Sequence, residues 1–394
     1  MSQREVVVLA GVRTAIGGYG GSLKDIPPTK LGAICVKDVV GRAGIDPARV
    51  GHAVFGSVIH GEARDMYLSR VAAIDGGLPV GTPCLTVNRL CGSGLQAIVS
   101  ASQHILLGDC DVTLAGGAES MSRSSYILPA ARWGQRMGDA TVVDMMTAAL
   151  HDPFGSGHMG ITAENIAVKY GITREEQDAF ALESHRRAST AIRAGYFKGQ
   201  IVPVDVKSKK GPVAFDTDEH TRHDASAEDF ARLKAVFKKD GTVTAGNASG
   251  INDAAAAVML MEAGAAAKEG LKPMARLVAY AHAGVEPQLM GLGPIPAVRR
   301  VFEKSGLKPS DMDVIESNEA FAVQAMAVTR DLGLDPAKVN ANGGAVALGH
   351  PIGATGCILT VKALYELQRT SKRYALVTMC IGGGQGIAAI FERI

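Results

Sequence analysis

The sequence predicts an α/β protein made of two similar halves, with a loop domain inserted into the first. Three observations lead there. Short β-branched runs alternate with longer helix-like ones. Two groups of segments repeat at offsets near 250 to 270 residues. One central stretch matches neither half in character. At 394 residues the chain also exceeds the usual size of a single hydrophobic core.

Taken in order, the run Glu5 to Leu9 reads as a first strand and Lys30 to Val40 as a helix. AGIDPARVGHAVFGS, from Ala43, is echoed by SGLKPSDMDVIESNE, from Ser305. Val87-Asn88, a glycine-rich turn, an apolar helix and the run Asp111 to Gly117 are echoed by Val339-Asn340, a glycine-rich turn, a helix and the run from Ala375 through Gly383. Between the halves, Thr173-Arg174-Glu175-Glu176 has capping-box form and starts a helix running to about Ala194. KSKKGPVAFDTDEHTRHDASAEDF follows as a polar, charged excursion. The expected division is 1–121 for the first part of the amino-terminal half, 122–241 for the inserted loop domain, 242–273 for the return of that half, and 274–394 for the carboxy-terminal half. RWGQRMGD, around Trp133, is either a subunit-contact loop or an ordinary solvent loop.

Composition narrows the functions. The 47% apolar and 20% charged fractions fit a soluble globular chain, and 47 glycines predict many tight turns. A formal charge of +2 supplies no basic field for nucleic acid, and eight Tyr with one Trp give few stacking platforms, so no nucleic-acid partner is expected. The amino terminus lacks the pattern of a signal peptide, and no run of about 18 apolar residues follows, so no membrane span is expected. Six cysteines without C-x-x-C pairing predict a reduced, cytoplasmic protein without a structural metal. His220 and His223 have H-x-x-H spacing but stand in the charged excursion and read as a solvated pair, so no metal is expected. No glycine run has the context of a dinucleotide site.

Four segments have the character of chemistry at strand ends, where open α/β sheets form their ligand crevices. VNRLCGSGLQA sets Cys91 between a strand-like and a helix-like run, next to glycines that give a substrate room. LVTMCIGGGQGIAAIF ends a β-branched run on Cys380, with three glycines close behind. NGGAVALGHPIGATG holds His350 among glycines before a helix, and ESNEAFAVQA places Asn318 and Glu319 where a strand gives way to a helix. The other cysteines, Cys35, Cys84, Cys110 and Cys357, read as small apolar packing residues.

Together these segments resemble the thiolases, the acetyl-CoA acetyltransferases and β-ketothiolases, over essentially the whole chain, with a particular likeness to bacterial β-ketothiolases of the polyhydroxyalkanoate type. The resemblance implies a layered α/β/α/β/α core. It makes NRLCGSGLQA the acyl-carrying segment and NEAF, GGAVALGHPIGATG and TMCIGGGQG the segments of Asn318, His350 and Cys380. It implies that His350 activates Cys91, that Cys380 removes a proton from the second substrate, and that a water on Asn318 together with His350 receives the enolate oxygen. It further implies coenzyme A contacts at Ser249 of NASGINDAAAA, His158 and Met159 of GSGHMG, Phe321, Met290, Leu233 and Phe237. Arg222 is expected either against the adenine or phosphates or in a surface salt bridge. Asp229 departs from the pattern, since some relatives carry a small hydroxyl residue there and an acid would repel phosphate.

The implied activity is reversible Claisen condensation of acetyl-CoA with acetyl-CoA or a short acyl-CoA. Coenzyme A and its thioesters are the substrates, no bound cofactor is implied, and the implied assembly is a homotetramer, a dimer of dimers. The alternatives are a degradative 3-ketoacyl-CoA thiolase, a one-cysteine ketoacyl synthase, and a non-catalytic acyl-CoA carrier. The second cysteine motif argues against the synthase, and the presence of Cys91, Asn318, His350 and Cys380 together argues against the carrier.

Overall fold

The computed structural model describes residues 4–209 and 211–394; the first three residues of the amino-terminal stretch and Lys210 of the charged excursion lie outside them. Strand β1 (Val6–Arg13) leads through α1 (Pro28–Ala43) to β2 (His52–Gly56), α2 (Leu68–Asp75), β3 (Cys84–Val87), α3 (Ser93–Leu107) and β4 (Val112–Ser120). The chain then leaves the sheet for an excursion that holds α4 (Met159–Tyr170) and α5 (Arg174–Arg193). It rejoins the sheet at β5 (Asn252–Glu262) and continues with β6 (Ala275–Gly284), α6 (Pro294–Ser305), β7 (Val314–Ser317), α7 (Ala322–Asp331), α8 (Thr355–Thr370), β8 (Tyr374–Ile381) and β9 (Gln385–Arg393).

These strands pair in the order β7-β8-β9-β6-β1-β5-β4-β2-β3. The halves join where β1 meets β6, with Val7 opposite Arg276 and Val8 opposite Ala275. Strand β2 runs parallel to β3 and β4, and β7 parallel to β8. The repeat seen in the sequence has a local cause. Helices α1 and α6 each end on a left-handed glycine, Gly44 at φ 63° and Gly306 at φ 71°, a conformation that side chains resist. Each is followed by a 3-10 turn opened by proline, Pro47–Arg49 and Pro309–Asp311, and then by the parallel strand β2 or β7.

Three apolar clusters stack the layers. Ile98 and Ile105 of α3 and Ile358, Val361 and Leu364 of α8 pack with Val8 and Val258 of one half-sheet and Val377 and Ile387 of the other. Helices α1 and α2 cover the first half's outer face, with Leu31, Val36 and Leu68 against Val7 and Leu114. Helices α4, α6 and α7 cover the second's, with Ile166, Val298 and Val323 against Leu376 and Ile390. The result is an α/β/α/β/α order with α3 and α8 in the middle layer, each such buried side chain contributing about 1.5–3 kcal/mol. The two central helices carry the reactive loops at their amino ends.

Within the excursion, α5 starts on the expected capping box, Thr173 with Glu176. The segment around 218 is tied to the sheet by a fully buried ion pair, with Arg13 Nη1 2.7 Å from Asp218 Oδ1 and Nη2 2.9 Å from Oδ2. His220 is half-buried against Gly250, which corrects the reading of a solvated histidine pair, while His223 Nδ1 lies 2.9 Å from Ser189 Oγ. Cys35 and Cys357 are buried, as packing cysteines should be, but Cys84 and Cys110 are only half-buried. Trp133 stands 90% exposed. No helix among the described residues is long and apolar enough to cross a membrane.

Candidate active site

Cys91 lies between β3 and α3, one residue before the helix N-cap Gly92. Its position is set by a strained elbow. Leu90 holds φ 44°, costly for a branched residue. The elbow is secured by Leu90 N donating to Asn88 Oδ1 at 2.9 Å, Arg89 N to Ser93 Oγ at 2.8 Å, and Ser93 Oγ to Leu90 O at 2.7 Å. Burial pushes the thiol up to about 11, partly offset by hydrogen bonds from the backbone N–H groups of Gly382 and Cys91 itself. The helix end therefore does not ionise it.

His350 does not follow a strand end. The sheet edge beyond β7 shrinks to one bridge, Ile315 to Val339, and the glycine-rich run then folds into a helical turn, Ala345–Leu348, before His350. The loop is seated in the interior between that turn and α8, with His350 buried. Its N–H donates to Asn252 Oδ1 at 2.9 Å, and its Nδ1 lies 2.7 Å from Thr355 Oγ1. Thr355 Oγ1 also lies 2.9 Å from Pro351 O and donates its hydrogen there, so Nδ1 is the donor in the imidazole bond and Nε2 keeps its lone pair. Burial lowers the imidazole to about 4.

Asn318 follows β7 directly and is fully buried, its Nδ2 3.4 Å from His350 Nε2. Its Oδ1 has no hydrogen-bond partner among the described residues. Cys380 is the second-last residue of β8, also fully buried, and both burial and the neighbouring Cys91 push its thiol well above the ordinary range. The site therefore rests as two thiols and a neutral imidazole, with the proton acceptor Nε2 turned toward Asn318.

A cavity of about 270 Å³ opens beside these groups, although neither Asn318 nor Cys380 lines it. Cys91 and His350 line it together with His158, Met159, Phe237, Ser249, Met290 and Phe321, six of the eight residues expected to contact coenzyme A. The His158 ring stacks on Phe237 with centroids 4.5 Å apart, an approach that needs Gly160, where any Cβ would run into the Phe237 ring. Phe237 in turn meets Phe321 edge-on at 6.3 Å. The other two, Arg222 and Leu233, stand outside this lining. Arg222 is exposed, and its backbone N–H donates to His185 Nδ1. Asp229 turns its carboxylate onto Ser226, accepting from the backbone at 3.0 Å and the hydroxyl at 2.7 Å, so it serves as the capping box of a short helix.

Sequence reasoning passed over Thr355, Asn252 and Glu119, which orient the histidine loop, and Leu90, Met121, Ala149, Leu150 and Ile352, which complete the apolar wall. Asn252 at least lies within the singled-out NASGINDAAAA segment. Thr355 also lies within a quoted segment, that of His350, whereas Glu119 carried no motif signal, because its role comes from a contact across the fold. No group of three or more His, Cys, Asp or Glu side chains that could hold a metal occurs among the described residues.

A duplicated α/β core with one half-buried and one buried thiol and a tautomer-fixed histidine at the mouth of α3 and α8 defines a thiol-dependent enzyme. The family model of the thiolase N-terminal domain matches residues 6–264, and that of the thiolase C-terminal domain matches residues 271–393. The chain belongs to the thiolase family. It is 67% identical over 392 residues to Beta-ketothiolase BktB of Cupriavidus necator, covering 99% of this chain and 100% of that protein. It is 52% identical over 392 residues to an acetyl-CoA acetyltransferase of Chromobacterium violaceum, again covering 99% and 100%. Among solved structures, human mitochondrial 3-ketoacyl-CoA thiolase superposes with a TM-score of 0.98 at 44% identity, covering 100% of both chains.

Proposed function

We propose that the protein is an acyltransferase that condenses acetyl-CoA with acetyl-CoA or a short acyl-CoA to 3-ketoacyl-CoA and coenzyme A, reversibly, through an acyl group on Cys91. The observation that supports this most is that Cys91 and His350 line one cavity, with Asn318 on the imidazole and Cys380 beside Cys91.

In the first half-reaction, His350 Nε2 takes the Cys91 proton as the sulfur attacks the thioester carbonyl. Neither group ionises alone when one thiol sits near 11 and the imidazole near 4, so proton transfer and attack are coupled. The tetrahedral oxyanion meets the N–H groups of Cys91 and Gly382, a pair whose members are worth about 2.7–4 kcal/mol each in such sites. The carbon–sulfur bond to coenzyme A breaks, and the departing thiolate takes the proton of Cys380. Cys380 is thereby left as a thiolate, and the burial that raises its thiol makes that thiolate a strong base. In the second half-reaction it removes a methyl proton from acetyl-CoA. The enolate oxygen is held by the protonated His350 and by a water on Asn318 Oδ1, the carbanion attacks the acyl carbonyl, and the carbon–sulfur bond to Cys91 breaks as Cys91 takes its proton back from His350.

Coenzyme A lies along His158, Met159, Phe237, Ser249, Met290 and Phe321, with Leu233 and Arg222 farther out on the excursion. The segment 122–241 acts as the loop domain that binds coenzyme A and makes subunit contacts. The assembly is a cytoplasmic homotetramer with the Trp133 loop at its dimer–dimer contact, and the reaction uses no metal. Mass spectrometry of protein quenched with acetyl-CoA tests the central step: an acetyl group on Cys91 is expected, absent in Cys91→Ser, and an adduct on Cys380 alone sinks the assignment.

A further inference from the structure

We infer that Glu119 is a positioning residue for this reaction: its carboxyl group anchors the loop that carries His350 and so sets where the imidazole stands in the cavity that Cys91 lines. The inference rests on the reading of Cys91 as the acyl carrier.

Glu119 sits near the end of β4 and is fully buried. Its Oε2 accepts from Gly353 N at 2.9 Å and from Val58 N at 3.1 Å, and its Oε1 from Ile59 N at 3.1 Å. The carboxylate thus ties the loop after β2 to the segment three residues beyond His350. The seat is tight. A Cβ on Gly353 would come within 2.5 Å of Glu119 Oε2, and one on Gly117 within 2.4 Å of Gly353 O. Ile352, between the histidine and this anchor, lines the cavity. A glutamine has one acceptor oxygen, so it must abandon either the Ile59 bond or the Val58 and Gly353 bonds and turn an NH₂ group toward backbone donors.

Among the described residues no cation pairs with this carboxyl group, so three N–H dipoles alone hold it in the interior. Burial accordingly raises it to about 8, and Asp65 adds repulsion.

The test is steady-state thiolysis of acetoacetyl-CoA. Glu119→Gln is expected to lower kcat, taken per folded enzyme, about 10- to 100-fold with little change in KM, the split that a displaced imidazole gives and a disturbed binding wall does not. Asn252→Ala, which removes another anchor of the same loop, should show the same split. Wild-type kcat in Glu119→Gln, or a loss confined to KM, overturns the inference. If Glu119→Gln does not fold, wild-type kcat in Glu119→Asp overturns it as well. Failure of the underlying reading is seen separately, as the absence of an acetyl group on Cys91 in the wild-type protein.

Discussion

Replacing Thr355 by valine removes one oxygen and very little volume, yet it should disable the histidine. In the structure Thr355 Oγ1 is the partner of His350 Nδ1 at 2.7 Å, and its bond to Pro351 O at 2.9 Å fixes which atom donates. Without the hydroxyl the Nδ1–H is left buried and unpaired, and the ring loses what holds its lone pair on Nε2. The bond matters most in the transition state, when the imidazole carries the proton of Cys91. A hydrogen bond to a charged group is worth about 1.5–3 kcal/mol, which converts to a kcat loss of about 10- to 150-fold. KM should change little, because Thr355 does not line the cavity. Steady-state thiolysis of acetoacetyl-CoA measures both constants, and Thr355→Ser, which keeps the oxygen, should recover most of kcat. Wild-type kcat in Thr355→Val, or a serine variant as poor as the valine one, would refute the assignment of tautomer and role.

Cys380→Ala should abolish hydrogen exchange at the methyl of acetyl-CoA, by about 10²- to 10⁴-fold, while slow acetyl exchange between coenzyme A molecules through Cys91 persists; deuterium loss at the wild-type rate contradicts its role as carbon base. The acid limb of kcat/KM should lie near pH 4 rather than near the ordinary histidine value of about 6.5, because burial lowers His350 and the base is lost only as pH falls through its folded value. A limb at the ordinary value that vanishes in a His350 variant would show the imidazole to be solvated. Light scattering at micromolar concentration should give four chains per particle, and a monomer would remove the tetramer and the proposed role of the exposed Trp133.

Local chemistry determined much of this protein in advance. The duplicated halves were legible because a left-handed glycine, a proline-opened turn and a parallel strand recur at the ends of α1 and α6, and each device is written in adjacent residues. The helix opened by Thr173 was legible for the same reason. Cys91, His350 and Cys380 stood out because reactive groups near glycine-rich turns leave a short-range mark, and Asn318 because it stands where a strand gives way to a helix. Contacts between distant residues decided the rest. His350 reads as a strand-end residue until the sheet edge is seen to dwindle to the single bridge at Val339. Asp229 looks like an obstacle to phosphate until its carboxylate is found on Ser226. Glu119 sits in unremarkable surroundings in the chain, and Thr355, though inside the histidine segment, showed no role there. Glu119 acts on a loop 234 residues away, and Thr355 acts through a ring whose tautomer depends on the acceptor its own hydroxyl selects. Protonation could not be read from composition either. A thiol or an imidazole ionises according to the water it retains, and only the packing of two half-sheets around α3 and α8 removes that water from Cys380 and His350 and limits it at Cys91.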